Sequence, residues 1–331
     1  MEKITIKGVL KDYKIIIDHS ILNKEIDFLS NYNKIMFLVD KNVDKELYKK
    51  LDLYLACKNV IRIETLGTED TKSFEFYQKV LNVLIENNFA KDDLILALGG
   101  GTTLDLAGFV ASTYKRSINL IYLPSSLLAM VDVCVGSKNG INYHGIKNVV
   151  GSFYDPSLVV IDPNLLLSLD REQYYSGLCE VLKMSLLEDG DLLDRLLQDN
   201  YTDELLIYRS ILIKKEFVEN DPYDTSYRHG LNLGHSYGHA IEAISNYKIS
   251  HGIAVGQGLL FILEGKLLDT IKKILTKWKI KPSIYKESEL EPYLLNDKKN
   301  NNDKINLVTL KEKSVFIVEG KEYHYGKHDW K

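Results

Sequence analysis

The stretch LILALGGGTTLDLAGFVAST, residues 94–113, decides the fold. Leu94 to Leu98 run without a polar break, the pattern of a strand buried on both faces. Gly99, Gly100 and Gly101 follow at once, and Leu104 to Thr113 then reads as a helix. A buried strand, a glycine turn and a helix form a phosphate-binding geometry. Glycines let the backbone approach a phosphate closely, and the helix N-terminus supplies free N–H groups and a positive dipole end. The dinucleotide fingerprint GxGxxG is incomplete, because Leu104 stands where its third glycine would be. By itself the turn is compatible with nucleotide binding or with a tight structural bend.

The same alternation extends outward. Lys3 to Val9, Tyr13 to Ile17, Ile35 to Val39, Val60 to Glu64 and Leu120 to Leu123 read as further strands. Asp44 to Leu55 and Phe74 to Asn87 read as helices between them. Alternating strands and helices predict an α/β domain with a Rossmann-like parallel sheet and right-handed crossovers. After Asp162-Pro163 the apolar residues recur mostly at helical spacing: 172–187, 192–197, 203–218, 231–243, 253–268 and 270–278. Only 306–310 and 314–318 read as strands there. The expected organisation is an α/β domain over 1–162 and a mainly α-helical domain over 163–331. Asn296 to Lys304 is polar and of low complexity, and reads as a surface loop.

Composition narrows the function. With 331 residues, 27% charged and a formal charge of −4, the chain lacks the dominant basic face of a nucleic-acid protein. No apolar run reaches the ~18–20 residues that span a bilayer, and the N-terminal segment has no apolar signal core. Three scattered cysteines make neither a disulfide framework nor a thiolate metal site, so a reducing cytoplasm is expected.

Histidine is more telling. His235 and His239 are one helical turn apart in LNLGHSYGHAIE, and His251 follows in SHG. Imidazoles with a carboxylate are a common donor set for a catalytic metal. Glu180 in GLCEVLK is a candidate third donor, because a carboxylate among Leu178, Val181 and Leu182 needs a partner. The alternatives are a Glu180–Lys183 ion pair and a satisfied core histidine at 239. Spacing does not decide which two histidines ligate.

Near the end of the α/β region lies VDVCVGSKNGINYHGIKNVVGSFYDP. Asp132, Lys138, Asn142, Lys147 and Asn148 alternate there with valines, isoleucine and glycines. The pattern suggests a partly buried segment offering polar groups to a cavity, and lysine with asparagine suits a phosphate or polyhydroxyl ligand. The plain alternative is a glycine-rich connector.

These motifs, GGGTTLDLAGFVASTYKR, LPSSLLAMVDVCVGSKNGIN, KNVVGSFYDP, GLCEVLK and LNLGHSYGHAIE…HG, fall in one order along the chain. Together they resemble the 3-dehydroquinate synthase family, one of the sugar phosphate cyclases, over about residues 40–310. The resemblance implies a homodimer with an NAD-binding domain, a metal-binding helical domain and an active site in the cleft between them. It implies a phosphate-eliminating carbon–oxygen lyase of the shikimate pathway. Such an enzyme converts 3-deoxy-D-arabino-heptulosonate 7-phosphate to 3-dehydroquinate by transient oxidation, elimination, reduction and aldol closure. It implies zinc (or cobalt) on Glu180, His235 and His251, with His239 left for proton transfer. Lys138, Lys183 and Asp132 would join His239 in the catalytic set. Asn148, Lys214, Arg228, Asn232 and Lys298 or Lys299 would bind substrate, with Arg116 reaching the neighbouring subunit's site. For NAD the matching positions are Asp40, Asn42, Glu69, Lys72, Gly100, Gly101, Asp105, Ser125, Ser126 and Ser168.

The chain departs from the family pattern in places. Leu104 replaces a glycine, Ser125-Ser126 replace two threonines, and Asp224 replaces a glutamate. Ile253 replaces the glutamate after His251, which points to a missing orienting partner for that histidine. The alternatives these departures leave are another cyclase (2-deoxy-scyllo-inosose or valiolone type), a metal-dependent polyol dehydrogenase, and a non-catalytic relative.

Overall fold

A computed structural model of the chain describes residues 1–24, 26–295 and 307–325. The whole polar run at 296–304, with Lys298 and Lys299, lies outside the described residues. The chain divides into two compact units, Met1–Asp170 and Arg171–Lys331. The first therefore extends past the expected boundary at residue 162, through the 3-10 turn Pro163–Ser168.

The first unit is built on strands β1 (Glu2–Ile6), β2 (Tyr13–Ile17), β3 (Lys34–Asp40), β4 (Asn59–Thr65), β5 (Leu94–Gly99) and β6 (Asn119–Pro124). Helices α1 (Lys49–Ala56), α2 (Phe74–Glu86) and α3 (Gly101–Thr113) connect or follow the central strands. A hairpin, β7 (Lys138–Tyr143) and β8 (Ile146–Phe153), precedes the last strand of the unit, β9 (Leu158–Ile161). Seven strands form one sheet in the order β1-β2-β9-β6-β5-β3-β4. All neighbours are parallel except the edge pair β1–β2. The apolar runs behave as their composition requires: Ile35 to Leu38 and Leu94 to Leu98 are wholly buried. Each large side chain so buried contributes about 1.5–3 kcal/mol.

Two local readings change. Helix α3 starts at Gly101, not Leu104, because the Gly100 carbonyl already accepts from the Thr103 and Leu104 N–H groups. The 132–151 connector is not one irregular segment. It contains the hairpin, turned by His144 (φ 49°) and Gly145 (φ 76°), both left-handed as a two-residue I′ turn needs. Before it, Ala129–Val133 forms a π-helical turn.

The second unit is mostly helical: α4 (Arg171–Leu187), α5 (Leu192–Gln198), α6 (Asp203–Asn220), α7 (His235–Ile244), α8 (His251–Ile262), α9 (Gly265–Lys277) and α10 (Glu287–Leu295). Strands β10 (Thr309–Glu312), β11 (Val315–Val318) and β12 (Lys321–His324) form a small antiparallel sheet. Two expected helices are broken. The one over 231–243 becomes a 3-10 turn, Tyr227–Asn232, and then α7, with Gly234 at φ 77° between them. The one over 253–268 breaks at Leu263 and Glu264, both extended. Helix α10 and strand β12 were not expected. Pro292 obscures the first, and the polar sequence KEYH hides the second.

Candidate active site

In the sheet, β3 is followed in the chain by β4 on one side and by β5 on the other. The strand order reverses between β3 and β5, and open parallel sheets bind ligands outside the carboxyl ends at such a reversal. Asp40 ends β3, Gly99 ends β5, and Ser125 with Ser126 follow β6. The Ser125 N–H donates to the Gly99 carbonyl at 2.9 Å, which ties the two turns together. Asp40 is buried, and its Oδ1 accepts from the Asn42 N–H (2.9 Å) and Nδ2 (3.0 Å). Asn42 Nδ2 also donates to the Leu66 carbonyl. Gly67, at φ 68°, closes this loop so tightly that a Cβ would stand 2.4 Å from Asp40 Oδ2.

Lys72 links three segments. Its buried ammonium donates to Asp105 Oδ2 on α3 at 2.6 Å and to Asn148 Oδ1 on the hairpin. Burial pushes the Asp105 carboxyl above its usual range, against the pull of Lys72. Asn142 donates to Glu69 at 2.6 Å and accepts from the Asn148 N–H at 2.9 Å. Glu69, Lys72, Asp105 and Asn148, expected to contact cofactor or substrate, thus form one connected group. Lys138 is exposed on β7, and Asp132 lies on the π-helical turn. Arg116 is exposed in a turn where Lys115, Arg116 and Ser117 all have positive φ. Ser168 is exposed and donates to the Leu165 carbonyl of its own turn.

The second unit holds the histidines. His235 opens α7 and His251 opens α8. Helix α8 meets α4 through its backbone: the Gly252 N–H donates to Ser176 Oγ at 3.0 Å. A Cβ on Gly252 would stand 1.9 Å from the Ser176 carbonyl oxygen, so only glycine allows this approach. Glu180 lies one turn further along α4. Its Oε1 is 3.7 Å from Nε2 of His235 and 3.7 Å from Nε2 of His251. Its other oxygen accepts from Lys183 Nζ at 2.5 Å. The ion pair and the histidine cluster, posed as alternatives by the sequence, therefore coexist.

The donor set fits a metal ion. Glu180 is 1% exposed, and its Oε1 has no hydrogen-bond partner among the described residues. An orphaned buried carboxylate oxygen is costly unless something else satisfies it. Tetrahedral zinc with ligand bonds of ~2.0–2.2 Å sets its donors roughly 3.3–3.6 Å apart. The observed 3.7 Å needs little adjustment. Glu180, His235 and His251 form one candidate ligand group, and His239, Glu242 and His251 form another. Each Nε2 faces Glu180 because each Nδ1 is engaged elsewhere: His235 Nδ1 with the Leu233 carbonyl (3.3 Å), His251 Nδ1 with Glu242 Oε2 (2.9 Å). The expectation that His251 lacks an orienting partner is thus corrected, since Glu242 occupies that role's position in space. Burial disfavours the charged form of His251, but the Glu242 bond and the nearby carboxylates outweigh it and raise its pKa. The His239 ring centroid is 5.6 Å from that of His235 and 5.8 Å from that of His251.

Three cations of this unit, Lys183, Lys214 and Arg228, are buried, and Asn232 is half-buried at the end of the 3-10 turn. Asp221 shapes the loop that presents Arg228. Its carboxylate accepts from the N–H groups of Thr225 (2.9 Å), Ser226 (2.7 Å) and Arg228 (3.1 Å). Burial alone would raise its pKa, but these donors prevail and hold it below the usual carboxylate range. A depressed folded-state pKa adds stability above the unfolded value of ~3.9, and that stability is lost as pH falls through the folded value. Asp221→Asn should therefore lower stability by about 1–3 kcal/mol at pH 7. Unfolding followed from pH 7 down to pH 3 should show the gap to the unaltered chain closing at the acid end.

Asp221, Gly67, Gly252 and Glu242 were absent from the sequence-based site. Glu242 alone carried a signal: with His235 and His239 it completes one face of α7.

Comparison with known proteins follows this division. The family profile "3-dehydroquinate synthase N-terminal" matches residues 62–176, and "3-dehydroquinate synthase C-terminal" matches 177–300. A 3-dehydroquinate synthase of Clostridium tetani is 38% identical over 338 residues, covering 94% of this chain and 89% of the relative. One from Clostridium botulinum is 37% identical, covering 94% and 95%. Among solved structures, a 2-deoxy-scyllo-inosose synthase complexed with carbaglucose-6-phosphate, NAD+ and Co2+ has a TM-score of 0.85 at 22% identity, covering 98% of this chain and 95% of that one. A 2-epi-5-epi-valiolone synthase from Streptomyces hygroscopicus, with NAD+ and Zn2+ bound, has a TM-score of 0.82 at 21% identity, covering 93% and 92%. These two likenesses concern the fold alone. The sequence relatives reach further, and by them the chain belongs to the 3-dehydroquinate synthase family.

Proposed function

We propose that this chain is a 3-dehydroquinate synthase. It would convert 3-deoxy-D-arabino-heptulosonate 7-phosphate to 3-dehydroquinate and phosphate, as a cytoplasmic homodimer that uses NAD+ and zinc or cobalt. The observation that carries the reading is the buried, orphaned Glu180 Oε1 facing two imidazoles, in a chain with relatives of that activity over nearly its full length.

When bound, NAD+ supplies a hydride acceptor that is regenerated in each cycle, and the metal supplies a Lewis acid. The chain's own residues do the rest. Asp40 and Asn42 accept and donate hydrogen bonds at the cofactor's ribose, while Gly100 and Gly101 leave room for its phosphates. Glu180, His235 and His251 hold the metal. Lys214 and Arg228, with Asn232, bind the anionic ends of the substrate and fix one orientation. Lys138 and Asn148 serve the phosphate, and Asp132 a hydroxyl. His239 sits beside both ligand histidines, placed to hold and pass a proton. Lys183, bonded to the second oxygen of Glu180, steadies that carboxylate and offers a charge to substrate.

The test is phosphate release by the purified chain from heptulosonate 7-phosphate, sedoheptulose 7-phosphate and glucose 6-phosphate, each with and without chelator. Release from the first substrate only, abolished by chelator and without net NADH, is expected. Turnover of another sugar phosphate alone would replace the reading with a different cyclase, and accumulating NADH would make it a dehydrogenase. Arg228→Ala should raise KM by about 30–1,000-fold, the equivalent of ~2–4 kcal/mol for a lost charge-assisted contact, with a smaller change in kcat. An unchanged KM and kcat would remove Arg228 from the substrate site.

A further inference from the structure

We infer that Glu242 is the positioning residue for the metal ligand His251, acting through the hydrogen bond from His251 Nδ1 to Glu242 Oε2. The inference rests on the metal reading above and adds to it a residue outside the ligand set. Glu242 is 5% exposed on α7, and His251 begins α8. The two nitrogens of the His251 ring face opposite ways: Nδ1 meets Glu242 Oε2 at 2.9 Å, and Nε2 lies 3.7 Å from Glu180 Oε1. The imidazole thus stands between two buried carboxylates, of which one binds its proton and the other shares its metal. With the Nδ1 proton committed to Glu242, the Nε2 lone pair points at the metal position.

Glu242 could instead be read as a ligand, since His239, Glu242 and His251 also cluster. The 2.9 Å separation decides against it, being a hydrogen-bond length shorter than the roughly 3.3–3.6 Å a tetrahedral ion imposes on its donors. Glu180 Oε1, by contrast, keeps metal-like spacing to both histidines and has no hydrogen bond. The two ligand histidines also differ. His235 uses a neutral carbonyl at 3.3 Å, whereas His251 uses a carboxylate, the more basic orienting partner.

The experiment measures zinc affinity of the metal-free full chain by competition with a chromophoric indicator, for the unaltered protein, Glu242→Ala and Glu242→Gln. Circular dichroism checks folding, and NAD+ titration reports on the first unit. Glu242→Ala should weaken zinc binding by about 10–100-fold. Glu242→Gln keeps an acceptor oxygen but not the charge, and should fall between, at roughly 3–10-fold weaker. NAD+ affinity should stay within twofold in both, which general unfolding would not allow. If the alanine variant does not fold, the glutamine variant carries the test. A folded variant with zinc affinity equal to the unaltered chain would overturn the role of Glu242. An unaltered chain that binds neither zinc nor cobalt would overturn the metal reading itself, and this inference with it.

Discussion

His235→Ala should lower bound zinc from about one ion per chain to below roughly a tenth, because two donors hold zinc far less tightly than three. Phosphate release should fall at least ~10³-fold, a loss of ~4 kcal/mol in transition-state stabilisation. The fold should survive. His235 is half-buried at the first residue of α7, and its ring is not part of the apolar cluster of Tyr237, Ala240, Ile241 and Ala254. Metal analysis of the dialysed protein, a phosphate-release assay and circular dichroism together check this. Unchanged zinc content would contradict the ligand role of His235. A matched control is His239→Ala, which should keep its zinc while losing activity, since His239 is assigned to the proton and not to the ion.

The second large effect is expected at Gly67→Ala. At φ 68° an alanine pays about 1–2 kcal/mol of backbone strain. Its Cβ would also lie 2.4 and 2.7 Å from the two Asp40 carboxylate oxygens and 2.8 Å from Asn42 Nδ2. Neither neighbour can stay in place, and both are assigned to the cofactor. NAD+ affinity should drop by about 100-fold, near 2.7 kcal/mol, a plausible sum for disturbed hydrogen bonds to a charged group. Calorimetric titration of NAD+ measures it, with zinc content as the control that should not move. NAD+ affinity within twofold of the unaltered chain would show that Asp40 and Asn42 are not cofactor contacts.

The parts of the fold that were legible are those where burial imposes a simple pattern. Strands β3 and β5 are buried on both faces, so their sequences are unbroken apolar runs. The hairpin β7–β8 was not legible because β8 is mostly exposed, with Val149 45% accessible. Its two valines, Val149 and Val150, are adjacent and show no strand alternation. The break before α7 depends on Gly234, where a Cβ would stand 3.0 Å from the Val255 carbonyl oxygen of α8, a close approach that a single-helix periodicity does not contain. Spacing placed His235 and His239 on one face yet left the ligands open. The choice depends on α4 bringing Glu180 to the start of α8, a contact across many residues of chain. Spacing places Glu242 on the same face of α7 as His235 and His239, but not its pairing with His251, which lies on the next helix, nine positions away. The family resemblance supplied the ligand assignment, and the geometry shows which nitrogens face the carboxylate.

The meeting of Gly252 with Ser176 has a bearing on how such a chain tolerates drift. Helices α4 and α8 touch there through main-chain atoms and one short hydroxyl, not through interlocking large side chains. The distance from Glu180 to His251 is thus inherited from a backbone contact one turn away. Apolar residues elsewhere in the helices can exchange for others of similar volume without resetting the donor spacing, at a usual cost below ~1.5 kcal/mol. Substitution at Gly252 has no such latitude, and a methyl group there would part the two helices that carry Glu180 and His251.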